Sequence, residues 1–304
     1  MRSKRRWPFT SRNRNGRKRP YGKRGWMHGP SFRRQEGFHA LFFLLPSILG
    51  VVYFVLLPFG DVIHRSFTAA VTGEYVGWEN YGRVFENEAF RLAVRNTARF
   101  SAVCLPLLIL LGLLIALLLS GLRRALWLKS VFLFPMAMPA ATVVVVWKLA
   151  FHEEGFLNLM TGWELDYMDT DLAFWVLVFS YLWKNLGYTV VLWLAGILSV
   201  PKELIEAACT DGAGKIRIFF FIQLPHLKGV LYTITVLSFL NSFKAFREAY
   251  LVAGPYPQES MYLLQHLFNN WFARLELDKM AAGAVCIGIV LLAVILLLRR
   301  LLEI

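Results

Sequence analysis

Residues 100–119 read FSAVCLPLLILLGLLIALLL, twenty positions without a single charge. At ~1.5 Å of rise per residue, a helix of this length spans the ~30 Å hydrocarbon core of a bilayer. An amphipathic helix in water keeps one polar face, and this stretch has none, so its solvent is lipid. Working outward, five further segments share its character: 38–59, 131–151, 172–198, 230–252 and 281–298. The expectation is an all-α integral membrane protein with six transmembrane helices. The run at 38–59 follows a basic region, but it is too long for a signal-peptide core and no small-residue cleavage site follows it, so it reads as an uncleaved first span.

Composition agrees. Of 304 residues, 57% are hydrophobic and 17% charged, against about a quarter charged in soluble domains. The net charge of +13 would suggest a nucleic-acid partner were it spread over a surface. It is concentrated instead in residues 1–36, which hold thirteen Lys or Arg and one acid. Trp7, Phe9, Tyr21 and Trp26 interleave with that charge, but a basic end before a first span is what membrane topology requires, and no nucleic-acid role is needed. The tail 1–36 reads as a disordered cytoplasmic segment resting near anionic lipid headgroups. Residues 37–304 form the membrane domain.

Orientation follows from the loops. With the amino terminus inside, the cytoplasmic segments carry 22 Lys or Arg and the outer ones 6. The middle outer loop, 152–171, has six acids and no Lys or Arg. Both termini are therefore expected in the cytoplasm. Cys104, Cys209 and Cys286 lie far apart with neither metal-ligand nor redox spacing, which leaves them as small apolar packers.

Two features break the apolar pattern. Lys184 lies twelve residues inside the fourth segment, ~18 Å from its nearer end and too deep for easy snorkelling. Asn185 and Tyr188 fall within one turn of it. In the fifth segment Ser238, Asn241 and Ser242 form a polar face at comparable depth, with Lys244 beyond them, then Arg247 and Glu248. Intramembrane polar groups are costly and normally face a cavity or a helix neighbour. Lys184, Asn185 and Tyr188 are expected to line a cavity. For Ser238 and Thr189, interhelical hydrogen bonding and a cavity role are equally open.

The second feature is the connection 199–229, far longer than a turn. Pro201 suits the first position of a helix, where its missing N–H costs nothing. Leu204, Ala207 and Ala208 give that helix a small apolar face, Asp211-Gly212 supplies a left-handed stop, and a second short helix is expected over about 214–222, ending at Leu224-Pro225. From the residues alone the loop serves equally well as a partner's docking site or as a cover for its own spans.

Glu206-Ala207-Ala208, then Gly212 and Ala213 after Asp211, then Ile222-Gln223-Leu224-Pro225, resembles the EAA motif of ABC importer permeases. Gly229 stands where many relatives have a proline. Val76-Gly-Trp-Glu-Asn-Tyr81, Asn96-Thr97, Trp147, Gly155, Asn158, Ala195-Gly196, and Phe243-Lys-Ala-Phe246 before Gly254-Pro255 narrow the likeness to the maltose and glycerol-3-phosphate branch. It covers roughly residues 38–300. The resemblance implies a MetI-like (type I importer) fold in a bacterial cytoplasmic membrane. It also implies that Glu206, Ala207, Ala208, Asp211, Gly212, Ala213, Leu224 and Pro225 couple the chain to a pair of ATP-binding subunits. A second permease, forming a heterodimer, and an extracellular solute-binding protein are the other partners it implies. In maltose-type permeases the sugar-contacting positions fall where Asn185 and Tyr188, and Ser238 and Ser242, stand here, and Trp183 beside Tyr188 would offer an aromatic face. Lys184 departs from a neutral sugar site: it would favour an acidic or phosphorylated sugar, or pair with Glu248.

No catalytic machinery accompanies these features. Gly214-Lys215 is not a phosphate loop, because Cys209 stands where its first glycine belongs and Ile216 where Ser or Thr would hold magnesium. His152-Glu153 lacks a second histidine for zinc. The chain is read as a non-enzymatic subunit without metal or cofactor. The alternatives are an ABC permease for a non-sugar solute and an ion-driven secondary transporter, although no internal repeat points to the latter.

Overall fold

The computed structural model describes residues 43–121 and 125–302, with side chains for 43–121 and 131–302. The basic tail 1–36 and positions 38–42 of the expected first span lie outside the described residues. Within them the chain is helical, with one isolated bridge, Thr68 to Tyr75, and no strand.

The described residues divide at Leu57: 43–57 fall in one unit and those from Pro58 onward in another. In the first unit, residues 43–57 are helical with a π turn at Val52–Leu56, and none is buried. Apolar side chains exposed in this way are what lipid solvates well. They belong to helix α1 (Phe43–Ser66).

In the second unit the order is α2 (Glu79–Glu86), α3 (Glu88–Ser120), α4 (Ala125–Ala137), α5 (Ala140–Phe151), α6 (Phe156–Thr161), α7 (Leu172–Ser199), α8 (Lys202–Thr210) and α9 (Lys215–Ile218). There follow α10 (Lys228–Ala253), α11 (Leu264–Ala273) and α12 (Leu277–Leu301). Helix α3 begins twelve residues before the charge-free run, because Asn87 caps it by accepting from the Phe90 N–H at 3.0 Å. The expected third span is broken. Pro139 cannot donate a backbone bond and disfavours helical geometry at Met138, so the helix stops at Ala137, restarts at Ala140, and bends by 102°.

Among the described residues, helices α1, α3, α10 and α12 are long and apolar enough to cross a membrane, and the bent pair makes a fifth if it is counted as one span. Helix α7 is 28 residues long but falls outside that group, since Lys184, Asn185 and its tyrosines lower its apolar character. It is also the axis of the bundle. It packs on α3, α4 and α10 and buries fifteen residues, among them Phe174, Leu177, Tyr181, Trp193 and Leu194. The approach of α4 is so close that a Cβ on Gly187 would overlap the Phe132 carbonyl. A helix enclosed by neighbours need not be uniformly apolar, and α7 uses that freedom.

The polar signature residues of the sequence act as ties at the loop-bearing end. Asn80 donates from Nδ2 to the Ser66 and Thr68 carbonyls at 3.1 and 2.9 Å, and the hydroxyls of Tyr81 and Ser66 meet at 2.8 Å. Asn96 donates to the carbonyls of Glu259 and Tyr262, while Thr97 Oγ1 accepts from the Leu264 N–H at 3.0 Å. Asn158 ties the loop after α6 through the carbonyls of Glu153 and Leu165. Each secures irregular backbone that would otherwise bury unpaired groups. They hold the bundle's loops.

Candidate functional site: a charged cleft and an exposed helix

Leu177, Ser180, Tyr181, Lys184 and Asn185 recur at i, i+3, i+4, i+7 and i+8, so they share one face of α7. Opposite them, Asn241, Lys244, Ala245, Arg247 and Glu248 come from α10, where a 3₁₀ turn at Phe243–Ala245 interrupts the α-helix. Met136 from α4 completes a cavity of about 150 Å³. Lys244 lies three residues before Arg247 and four before Glu248, so the three fall side by side along the cleft.

Its centre is an ion pair, Lys184 Nζ to Glu248 Oε1, with the lysine side chain 22% and the glutamate 8% exposed. Of the two sequence readings of Lys184, the geometry realises the pairing with Glu248. Lys244 donates to Asn241 Oδ1 at 3.0 Å, and Asn185 donates to the Tyr181 carbonyl at 2.8 Å. Lys244 and Arg247 are exposed to the cleft.

Four of the seven residues singled out for the pathway therefore meet here: Lys184, Asn185, Asn241 and Lys244. The other three lie deeper, in a network between helices. Tyr188 and Ser238 share a hydroxyl contact of 2.7 Å, and Tyr181 donates to the Ser238 carbonyl at 2.6 Å. Ser242 meets Ser101 of α3 at 3.1 Å and donates to the Phe239 carbonyl. All three side chains are buried, fastening α7 to α10 and α10 to α3. Sequence reasoning left Ser180 and Tyr181 out of the site. Their spacing from Lys184 is the signal that would have found them. Arg247 and Glu248 were noticed as interruptions but not assigned to the cleft, although their spacing from Asn241 and Lys244 places them on or beside the same face.

The second region is α8. Pro201 precedes it as the N-cap, one position earlier than expected, and Lys202 is its first helical residue. Its end is a Schellman motif: the Ala213 N–H bonds the Ala208 carbonyl at 2.9 Å and the Gly212 N–H bonds the Cys209 carbonyl at 3.0 Å. Gly212 sits at φ +80°, which a residue with a Cβ adopts only at a cost. No residue of α8 is buried, and Glu206 and Ala207 are exposed. The expected second helix is α9, continued by a π turn at Phe219–Gln223 and a short turn, Leu224–His226, that contains Pro225. Among the described residues no group of His, Cys, Asp and Glu is arranged to hold a metal ion.

These two regions fit what comparison with known proteins finds. The diacetylchitobiose uptake system permease protein NgcF of Streptomyces coelicolor is 32% identical over 87% of this chain and 82% of its own length. The arabinooligosaccharides transport system permease protein AraP of Bacillus subtilis is 31% identical over 90% of this chain and 93% of its own. A chain of a bacterial ABC transporter involved in the import of the acidic polysaccharide alginate shares the fold, with a TM-score of 0.75 at 18% identity, covering 90% of this chain and 97% of that one. The family model for the binding-protein-dependent transport system inner membrane component matches residues 108–304, which hold the bent pair, the cleft, α8 and the last two apolar helices. The chain belongs to the family of inner membrane components of binding-protein-dependent transport systems.

Proposed function

We propose that this protein is the permease subunit of an ATP-driven importer that moves a sugar or oligosaccharide across a bacterial cytoplasmic membrane by alternating access. Two relatives named for the uptake of diacetylchitobiose and arabinooligosaccharides support the cargo class. As a membrane component of a transport system the chain is a non-catalytic subunit, and ATP hydrolysis belongs to a separate one.

The observation that carries this reading is α8. A nine-residue helix, capped at its end and with no buried residue, presents Leu204 and Ala208 beside the Glu206 carboxylate. Isolated helices this short are marginal in water, so its apolar face is best explained by a protein that covers it. That protein is the ATP-binding subunit. Closure of the ATPase pair moves α8, and through Leu227, packed against α7, the bundle rocks about the cleft. Glu206, Ala207, Ala208, Asp211, Gly212 and Ala213 form the coupling segment, with Leu224 and Pro225 at its exit. Six spans and two cytoplasmic ends are supported by the charge bias of the loops and by the length of α7, whose polar centre suits a pathway helix. One chain of this size forms half of the pathway, with a second permease completing it and a solute-binding protein meeting the outer loops.

The test is affinity purification of tagged permease in mild detergent, wild type beside Glu206→Lys, with ATPase activity assayed on both. Co-purification of a second permease and an ATPase with the wild type, lost or uncoupled in the variant, supports the proposal. A permease that purifies alone, with uptake that survives ATP depletion and collapses with the ion gradient, overturns it.

A further inference from the structure

We propose that the cleft between α7 and α10 selects an acidic saccharide, one bearing carboxylate, phosphate or sulfate, and that Lys244 and Arg247 hold its anionic group. This rests on the carbohydrate reading above and goes beyond it by naming the charge of the cargo.

The charges around the cleft decide it. Three cations, Lys184, Lys244 and Arg247, face a single carboxylate, Glu248. Glu248 is taken by Lys184. Neither Lys244 nor Arg247 has an ion-pair partner among the described residues, and both are exposed to the cleft. Two positive charges side by side within an apolar, span-length helix, with no carboxylate partner among the described residues, are costly, and such residues normally mark a charged ligand's path. Low-dielectric walls also focus the field of these cations into the cleft, raising the local concentration of anions.

The hydrogen-bonding inventory points the same way. Lys and Arg are donors without acceptor capacity, and Arg offers a planar fork suited to carboxylate, phosphate or sulfate. Lys244 uses one donor on Asn241 and keeps two, and no hydrogen bond of Arg247 is seen among the described residues. A neutral glycan would satisfy these donors only with hydroxyl oxygens and would leave both charges without a counter-ion. Ser180 and Asn185, on the facing helix, suit the hydroxyls of the same sugar ring. The ion pair keeps Glu248 from repelling the cargo, so the pairing of Lys184 and the acidity of the cargo belong to one arrangement.

The test uses the assembled importer, the permease with its second permease and ATPase pair, in lipid nanodiscs. Binding of trigalacturonate and of the uncharged galactose trimer is measured at low ionic strength by the shift in Tm. Wild type is expected to bind the acidic trimer at least roughly tenfold more tightly. Lys244→Gln and Arg247→Gln are each expected to weaken that binding roughly tenfold and to leave the neutral trimer unaffected, as loss of one charge-assisted hydrogen bond implies. Both side chains are exposed and lack ion pairs, so the ligand-free Tm serves as the control for folding. Equal binding of the two trimers by wild type, or an acidic preference that survives in the double variant, overturns the charge assignment and leaves carbohydrate import standing. Binding of neither trimer by a complex that hydrolyses ATP overturns the carbohydrate reading and this inference together.

Discussion

Helices α7 and α8 are separated by Val200-Pro201, and opposite forces hold them in shape. Helix α7 buries fifteen residues and is defined by its neighbours: Gly187 lets α4 close on it, Trp193 donates to the Ile109 carbonyl of α3 at 3.1 Å, and its tyrosines reach α10. Helix α8 buries none and is defined by its own sequence, through Pro201 at one end and Gly212 at the other. One is shaped by packing and carries its polar groups inward. The other is shaped by capping and carries its apolar groups outward. A substitution in α7 should therefore act through stability, and one in α8 through function alone.

The largest expected effect sharpens that contrast. Glu206→Lys should abolish nearly all energy-coupled uptake while shifting permease stability by no more than about 0.5 kcal/mol, the usual range for an exposed site. Uptake into cells, read beside thermal unfolding of the purified permease, checks both halves. A large loss of stability would mean that α8 packs on its own bundle, and the contrast would fail.

In α7 the opposite is expected. Lys184→Met strands the Glu248 carboxylate, the more buried partner, and should cost about 3 kcal/mol, the scale for breaking a buried pair. Glu248→Gln should cost less, because Lys184 is more exposed and can draw water from the cleft. The double variant should be more stable than Lys184→Met alone, since no charge is then unpaired. A double-mutant cycle by denaturant unfolding measures the coupling, and simple additivity would show that the pair contributes nothing.

Much of this contrast was legible in the sequence, and what was not has a physical cause. The positions of the apolar helices follow from the apolar runs, though not their ends or the break at Pro139, and the α8 stop follows from Asp211-Gly212, because both are local. The polar stripe Lys184, Asn185 and Tyr188 was read as one cavity wall, yet Tyr188 is spent on Ser238 while Lys184 and Asn185 face the cleft. Periodicity tells which residues share a face but not where a neighbouring helix ends and open space begins. Tyr181, one turn before Lys184, was within reach of that periodicity; what the spacing does not show is that its hydroxyl is committed to a carbonyl on another helix. The 102° bend depends on how α4 and α5 pack, although Pro139 marks where it must occur.

The packed bundle also carries a pH dependence, in α11 rather than α7. His266 in α11 is fully buried against Phe246, Tyr250 and Tyr262, and its Nδ1 accepts the Leu263 N–H. Nε2 therefore carries the proton, and among the described residues it has no partner. Burial lowers the imidazole from 6.5 to about 4. The unfolded chain then binds the extra proton more readily, so the contribution is complete above pH 6.5 and is lost as pH falls toward 4, on the order of 3 kcal/mol in all. Thermal unfolding between pH 7 and 4 should show this slope in wild type and a shallower one in His266→Gln. Equal slopes would place the acid sensitivity elsewhere.

The smallest expected effect tests whether α8 is set by capping. At Gly212 a Cβ meets no neighbour within 4 Å, so Gly212→Ala adds no clash and only forces alanine to φ +80°. The cost is about 1 kcal/mol, confined to the end of a helix with no buried residue. Global unfolding of the permease should not register it. Hydrogen exchange at Gly212 and Ala213, whose N–H groups close the Schellman motif, should rise severalfold, and uptake should fall in part rather than vanish. If exchange there stays unchanged while uptake falls, α8 is held by the subunit that covers it rather than by its own cap. If global stability falls instead, α8 belongs to the packed bundle after all.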